Sequence, residues 1–156
     1  MDLLAGLKQE SVVKMHLSDY CTAEADASVK DVLADMNAQH CHNALILRGG
    51  KLAGIFTDRD VLMKIADNPE TMDQPVSNFM TSEVVTISKA ATAADALALM
   101  SIKHIRNVPV VEDDGSVVGN FTHFSVLDFL AEKFPDVSLT HFPNYSRRFS
   151  RRRHGG

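Results

Sequence analysis

No apolar run in the chain approaches the roughly 18 to 20 residues a helix needs to cross a bilayer, so no membrane span is expected. The opening Met1-Asp2-Leu3-Leu4-Ala5-Gly6-Leu7 has neither a basic start nor a long apolar stretch, so no signal peptide is expected. Cysteine is scarce: Cys21 and Cys41 are the only two in 156 residues. They supply neither a disulfide framework nor a CxxC metal pair, and a reduced cytoplasm is the expected compartment. Carboxylates are missing from residues 141–156, which carry Arg147, Arg148, Arg151, Arg152 and Arg153. All 20 acidic side chains therefore lie before residue 141, against 11 of the 16 basic ones. The mild net charge of −4 is the sum of an acidic body and a basic tail.

What is present is a repeat. With 45% apolar residues the chain can bury a core, and its length suits one ordinary domain or two small ones. At an offset of 64, Asp31, Leu33 and Met36 fall on Asp95, Leu97 and Met100, His40 on His104, and Asn43 on Asn107. One extra residue in the second hairpin turn then shifts the offset to 65, so that Gly54, Thr57 and Leu62 meet Gly119, Thr122 and Leu127.

Each copy reads as β-α-β-β-α. A short strand, Tyr20–Thr22 or Val84–Ile87, precedes a helix with Ser28 or Thr92 as N-cap and Asp three residues on. Val29, Val32, Leu33 and Met36 form its buried stripe. A hairpin follows: Ala44–Leu47 with Leu52–Phe56 in the first copy, Val108–Val111 with Val117–Phe121 in the second. Turn glycines there supply positive φ. A second helix closes each copy, roughly Arg59–Ala66 and Phe124–Phe134, and Pro135 ends the latter. The expected fold is α/β, in α+β layers: two units in pseudo-two-fold tandem plus a basic C-terminal tail. The boundaries read as an N-terminal lead (1–10), a first unit (11–67), a polar, proline-bearing linker (68–75), a second unit (76–135) and a flexible basic aromatic tail (136–156). A unit of about 60 residues buries too little surface to be comfortably stable alone, so the two are expected to pack face to face.

Chemistry concentrates where each hairpin passes into its closing helix. The first copy has Gly54-Ile55-Phe56-Thr57-Asp58-Arg59-Asp60, the second Gly119-Asn120-Phe121-Thr122-His123-Phe124-Ser125. Glycine lets the backbone turn closely. A threonine at a helix start sets a hydroxyl beside free N–H groups, which suits phosphate. A carboxylate one turn on, Asp60, can accept from both hydroxyls of a ribose. A phosphorylated sugar ligand fits that spacing. A bare structural turn also uses these residues, with the Asp favouring the helix dipole.

Taken with His104-Ile105-Arg106-Asn107-Val108-Pro109-Val110 and Pro75-Val76-Ser77-Asn78-Phe79-Met80-Thr81, this arrangement over residues 11–132 resembles the tandem CBS-domain pair, or Bateman module. The resemblance implies a non-enzymatic regulatory module that binds adenine nucleotides, commonly AMP, ADP or ATP. S-adenosylmethionine, NAD-type ligands and cyclic dinucleotides are less common occupants. It also implies a homodimeric disc of four units acting on a separate effector protein. Residue by residue it makes Asp60 the ribose ligand and Thr57 a phosphate or ribose contact. Thr22 would line the adenine with the backbone at Asn43 and Ala44. Thr86, Ile87, Asn107, Val108 and Thr122 are the second-unit matches, with Pro109 beside them. Arg106, its counterpart His42, and Arg59 are the candidate phosphate contacts. Two positions depart from the pattern: Ser125 stands where Asp60 does in the first unit, and Leu45 where Pro109 does in the second. The loss of one or two charge-assisted hydrogen bonds, about 1.5–3 kcal/mol each, makes the Asp60 site the stronger expectation.

Other clusters carry less. In His40-Cys41-His42 adjacent residues converge poorly on one ion, and no second ligand pair follows. Glu112-Asp113-Asp114 falls in a hairpin turn and reads as solvated. No constellation argues for catalysis. The tail interleaves Phe142, Tyr145 and Phe149 with its arginines, a composition that binds nucleic acid or an acidic protein surface. It equally suits a solubilising end or one that folds onto the acidic body. The alternative to a ligand sensor is thus a dimeric scaffold whose Arg147–Arg153 tail holds such a partner.

Overall fold

The computed structural model describes residues 2–134. The tail at 136–156, with its nucleic-acid reading, lies outside the described residues. The elements run α1 (Leu3–Gln9), β1 (Cys21–Glu24), α2 (Val29–Gln39), β2 (Asn43–Arg48), β3 (Lys51–Thr57), α3 (Asp58–Asp60), β4 (Ile87–Ser88), α4 (Ala93–Lys103), β5 (Asn107–Val111), β6 (Val117–Thr122) and α5 (His123–Lys133). A π-helical turn, Val61–Ile65, continues α3. Short 3₁₀ turns cover Val12–Lys14, Pro69–Asp73 and Val76–Asn78. There are two three-stranded sheets, β1-β2-β3 and β4-β5-β6, each with one parallel and one antiparallel pairing.

Local signals behave as their chemistry dictates. Ser28 caps α2 by accepting from the Asp31 N–H at 3.1 Å. Thr92 and Asp95 form a reciprocal capping box on α4, and the Thr92 backbone and side-chain bonds hold the Asp95 carboxyl below its usual range. Gly49, Gly50 and Gly115 take positive φ in the hairpin turns. His40 and His104, at φ 55° and 53°, end α2 and α4 in the left-handed conformation. In α2 the stripe of Val29, Val32 and Met36 is buried, while Leu33 is half-buried.

The first strand of each unit differs from expectation. β1 covers Cys21–Glu24 rather than Tyr20–Thr22, and β4 keeps only Ile87 and Ser88 of the expected Val84–Ile87. Pro109 accounts for the second difference. The Asn120 N–H bonds outward to the Leu17 carbonyl (2.9 Å), so the Pro109–Asn120 pair is a non-hydrogen-bonded one and position 109 faces β4 with its nitrogen. Proline has no proton to offer there. Leu45, at the matching position, supplies one, and β1 pairs along four residues.

The lead and the linker pack across the molecule. Leu7, Val12 and Met15 belong to the core of the second unit, with Ile87, Val108, Val110, Phe121 and Phe129. Val76 belongs to the core of the first, with Val29, Val32, Ala44, Ile46 and Phe56, and Met72, Phe79 and Met80 pack against it. The exchange obeys the repeat. The Val12 N–H donates to the Ala91 carbonyl and the Ala93 N–H to Glu10; the Val76 N–H donates to Ala27 and the Val29 N–H to Gln74, all at 2.8–3.0 Å.

Each crossing segment then runs along the edge of the other unit's last strand. Ile55 and Thr81 exchange backbone bonds at 2.9 and 2.8 Å. Leu17 and Ser18 lie along Asn120 in a parallel bridge, with the Asn120 N–H donating to the Leu17 carbonyl. The two matched glycines sit under these crossings with ordinary backbone angles; what they provide is room. A Cβ at Gly54 would stand 2.4 Å from Met80 Sδ and 2.9 Å from the Thr81 oxygen, and one at Gly119 would stand 2.5 Å from Leu17 Cβ. Alanine at either position is therefore expected to destabilise the fold, by about 1–3 kcal/mol. Gly119→Ala should be the worse, because a Cβ of the crossing segment moves less readily than a methionine side chain. Chemical denaturation of the two variants checks both the loss and the order.

Candidate functional site

Strand alternation sets one face of each sheet on its own core and the other toward the partner unit. Ala44 and Ile46 point into the first core, so Asn43 and Leu45 face across. In the second sheet Val108 and Val110 point inward, so Asn107 and Pro109 face across. The contact between the two faces is polar at its centre. Asn43 Nδ2 donates to Asn107 Oδ1 at 3.1 Å, and Asn120 Nδ2 donates to Asn43 Oδ1 at 3.1 Å and to Asn107 Oδ1 at 3.2 Å. Asn120 is fully buried and its Oδ1 has no partner. Two of the candidate ligand residues, Asn43 and Asn107, thus spend their side chains on joining the units. Asn120 was missed as a participant. Its signal was available, because it is a polar residue at the position the repeat fills with Ile55.

At the end of the first sheet the pairing of Asn43 with Thr57 brings the start of β2 to the end of β3. The Asp58 N–H donates to the His42 carbonyl at 3.2 Å, closing this corner. Thr57 and Asp60 form the capping box of α3. The Thr57 N–H and hydroxyl both donate to Asp60 Oδ2, at 3.0 and 3.3 Å. Asp60 Oδ1 receives Lys64 Nζ at 2.8 Å, and the same ammonium donates to the Phe79 carbonyl at 2.7 Å. Asp60 is only 7% exposed, so a buried carboxylate is balanced by a cation whose side chain is 41% exposed. Oδ2 is held by Thr57 and Oδ1 by a lysine that reaches the surface. His42, Arg59 and Thr22 are exposed around this corner, and Ala44 is buried beneath it.

The matching corner of the second unit has the same backbone and a different chemistry. Asn107 pairs with Thr122. The Thr122 N–H donates to Ser125 Oγ at 3.0 Å, and the Ser125 hydroxyl donates to the His16 carbonyl of the crossing segment. Thr122 and Ser125 are both buried, at 2% and 0% exposure. The position of Lys64 is taken by Phe129, which lies in the core. Ile87, Val108 and Pro109 are buried as well, while Thr86 and Arg106 are exposed at the rim. The candidates therefore lie about two corners, one holding a carboxylate paired with a lysine and one closed by the chain's own backbone.

Among the described residues no helix is long and apolar enough to cross a membrane, and no three His, Cys, Asp or Glu side chains gather as a metal site. A family model described as CBS domain matches residues 13–67 and again 76–132. An uncharacterized protein of Methanocaldococcus jannaschii is 32% identical over 80% of the chain. The chain spans 30% and 39% of the lengths of two curated relatives from that organism. Among solved structures, a CBS-domain pair in complex with 5′-methylthioadenosine and S-adenosyl-L-methionine superposes with a TM-score of 0.68 at 25% identity, over 78% of this chain and 96% of that one. The cytosolic domain of the Mg2+ channel MgtE, solved with ATP, gives 0.66 at 22% identity, over 82% of this chain and 52% of that one. The two sheets, their crossed segments and the doubled match agree: the chain belongs to the CBS-domain family and carries the domain twice.

Proposed function

We propose that the chain is a regulatory module that binds one adenosine-containing ligand at the Thr57–Asp60 corner and passes its occupancy to a separate effector. The observation that carries this reading is the Asp60 carboxylate, buried but balanced on one oxygen by Lys64. A ribose has two adjacent hydroxyls to donate to it. The ligand's phosphate or sulfonium-bearing chain would extend toward the exposed His42 and Arg59. The adenosine-containing ligands bound in those two solved structures support the class. AMP, ADP and ATP remain the first ligands to try, with S-adenosylmethionine and NAD-type ligands after them.

Lys64 also offers a route for the signal. It bridges Asp60 to the Phe79 carbonyl, on the segment that leads into the second unit. A ribose that takes Asp60 Oδ1 breaks this bridge and frees the crossing segment from one of its ties. Ligand then favours the conformation in which the bridge is open, which is a population shift. Asp60→Ala is expected to weaken adenine-nucleotide binding by roughly ten- to several-hundred-fold, read by calorimetry. Unchanged affinity would remove Asp60 from the site. Ser125→Asp is expected to create no second site. It replaces a donor with a carboxylate facing the His16 carbonyl in a buried position, at a cost of about 1–3 kcal/mol or more, whereas Ser125→Ala loses about 0.5–1.5 kcal/mol. Thermal melts of both variants, with and without nucleotide, test that ranking.

Homodimerisation belongs to the same proposal. Leu62 and Met63 stand 71% and 74% exposed side by side on the turn after α3, an apolar pair that a second copy would cover. Leu62→Glu with Met63→Glu is expected to give monomers by light scattering at concentrations where the unaltered chain is dimeric.

A further inference from the structure

The ligand reading leaves unused the only two thiols of the chain, and the fold brings them together. The parallel register of β1 and β2 sets Cys21 beside Ala44. Cys41 lies three residues before Ala44, in the short connection where His40 reverses the chain and the Cys41 N–H closes α2 on the Met36 carbonyl at 2.9 Å. Cys21 is 4% exposed within the first core, and half-buried Cys41 packs against that same core. The Cys21 thiol donates to the Asn43 carbonyl at 3.6 Å and the Cys41 thiol to the Gln39 carbonyl at 3.7 Å, and the two sulfurs are near enough to interact electrostatically. Burial, and after it the neighbouring Cys41, push the Cys21 thiol up to about 12. Cys21 therefore stays protonated at ordinary pH. Cys41 is the more open of the two to solvent, so it is the thiol an oxidant meets first.

We infer that Cys21 and Cys41 form an oxidation site, where a peroxide converts the thiol pair into an intramolecular disulfide at the rim of the first corner. The Cys41 thiolate attacks a peroxide oxygen; the O–O bond breaks, hydroxide leaves, and Cys41 becomes a sulfenic acid. The Cys21 sulfur then displaces hydroxide from the Cys41 sulfur. Its proton leaves with that hydroxide as water. With hydrogen peroxide, two thiols and one peroxide give one disulfide and two waters, and a dithiol reductant reverses the bond. The disulfide removes the Cys21 donor from the Asn43 carbonyl and ties β1 to the connection before β2. Thr22 follows Cys21, His42 follows Cys41 and the Asn43 carbonyl accepts from Cys21, so oxidation acts on the same corner as the ligand; this part rests on the function proposed above.

Sequence makes the test direct. Trypsin cuts after Lys14, Lys30 and Arg48, so the two cysteines leave in separate peptides, 15–30 and 31–48. The full chain treated with hydrogen peroxide is expected to lose two hydrogens in mass and both titratable thiols together. Without reductant its digest should join peptide 15–30 to 31–48, and dithiothreitol should separate them. Cys21→Ser should stop at a Cys41 sulfenic acid that dimedone traps, and Cys41→Ser should leave Cys21 unreactive. Sulfinic acid on Cys41 with Cys21 still free, or a bond only between two chains, overturns the site. Nucleotide binding is read separately. Weaker binding by the oxidised chain than by the reduced one is expected, and equal binding overturns the coupling. A reduced chain that binds no adenosine ligand defeats the function proposed above and leaves the disulfide result standing.

Discussion

The molecule depends on one steric constraint, the passage of each crossing segment over a glycine at the edge of the other unit. At Gly54 and Gly119 there is no space for even a methyl group. Because the segments can lie that close, they complete the two sheets with backbone bonds and deliver Val12 and Val76 into the opposite cores, where both are fully buried. Neither core is filled by a contiguous unit of sequence. A unit of this size alone would be marginal; the exchange gives each one additional apolar side chains and couples their stabilities. Unfolding one unit withdraws residues from the other's core, so the pair is built to fold as one.

On that symmetric frame the sequence places a small number of asymmetric residues, and they all bear on the corners between the units. Asp60 with Lys64 becomes Ser125 with Phe129. Leu45 becomes Pro109, and Ile55 becomes Asn120. In the first unit these choices leave a buried carboxyl group paired with a lysine and a four-residue parallel strand. In the second they give a hydroxyl committed to the His16 carbonyl, a strand cut to two residues and a buried amide. The buried amide is costly, since a buried carbonyl oxygen without a protein partner loses about 1–3 kcal/mol of solvation. Its Nδ2 offsets this by bonding both Asn43 and Asn107. A polar contact of that kind fixes register between two faces that apolar packing alone would leave free to slide.

How far this was legible from sequence follows from the range of each interaction. Ser28, Thr92 and the turn glycines act within four residues, and they behave as their chemistry predicts. The repeat is long-range information written twice, so the sheets, their order and the matched corners could be read from it. The crossing could not be read from periodicity, because an apolar residue that fills a neighbour's core looks the same as one that fills its own. A trace of it was present: Val12 and Val76 also stand 64 apart, showing that the repeat begins upstream of the first strand. Glycine was read as a turn residue, because sequence shows the missing side chain and not what passes over it. Lys64 was invisible as a site residue for a related reason. It lies one helical turn beyond Asp60, and the repeat offers no second copy to draw attention to it.

The features that the proposed ligand, oxidation and dimer readings use all lie in the first unit. The Asp60–Lys64 pair, the Cys21–Cys41 pair and the exposed Leu62 and Met63 stand on its strands and the turn after α3. At the positions of Asp60, Lys64, Cys21 and Cys41 the second unit carries Ser125, Phe129, Val85 and Ile105, none of them an acid, a base or a thiol. This division has a physical consequence for signalling. A ligand event in one unit needs something rigid to act against, and a second unit that answered in the same way would absorb the change by symmetry. With Ser125 bound to His16 and Asn120 locked to both Asn43 and Asn107, the second unit holds the lead and the central contact fixed. Under the proposed function the ligand acts on Phe79 alone in the segment after Val76, by releasing its carbonyl from Lys64, while Thr81 keeps both backbone bonds to Ile55.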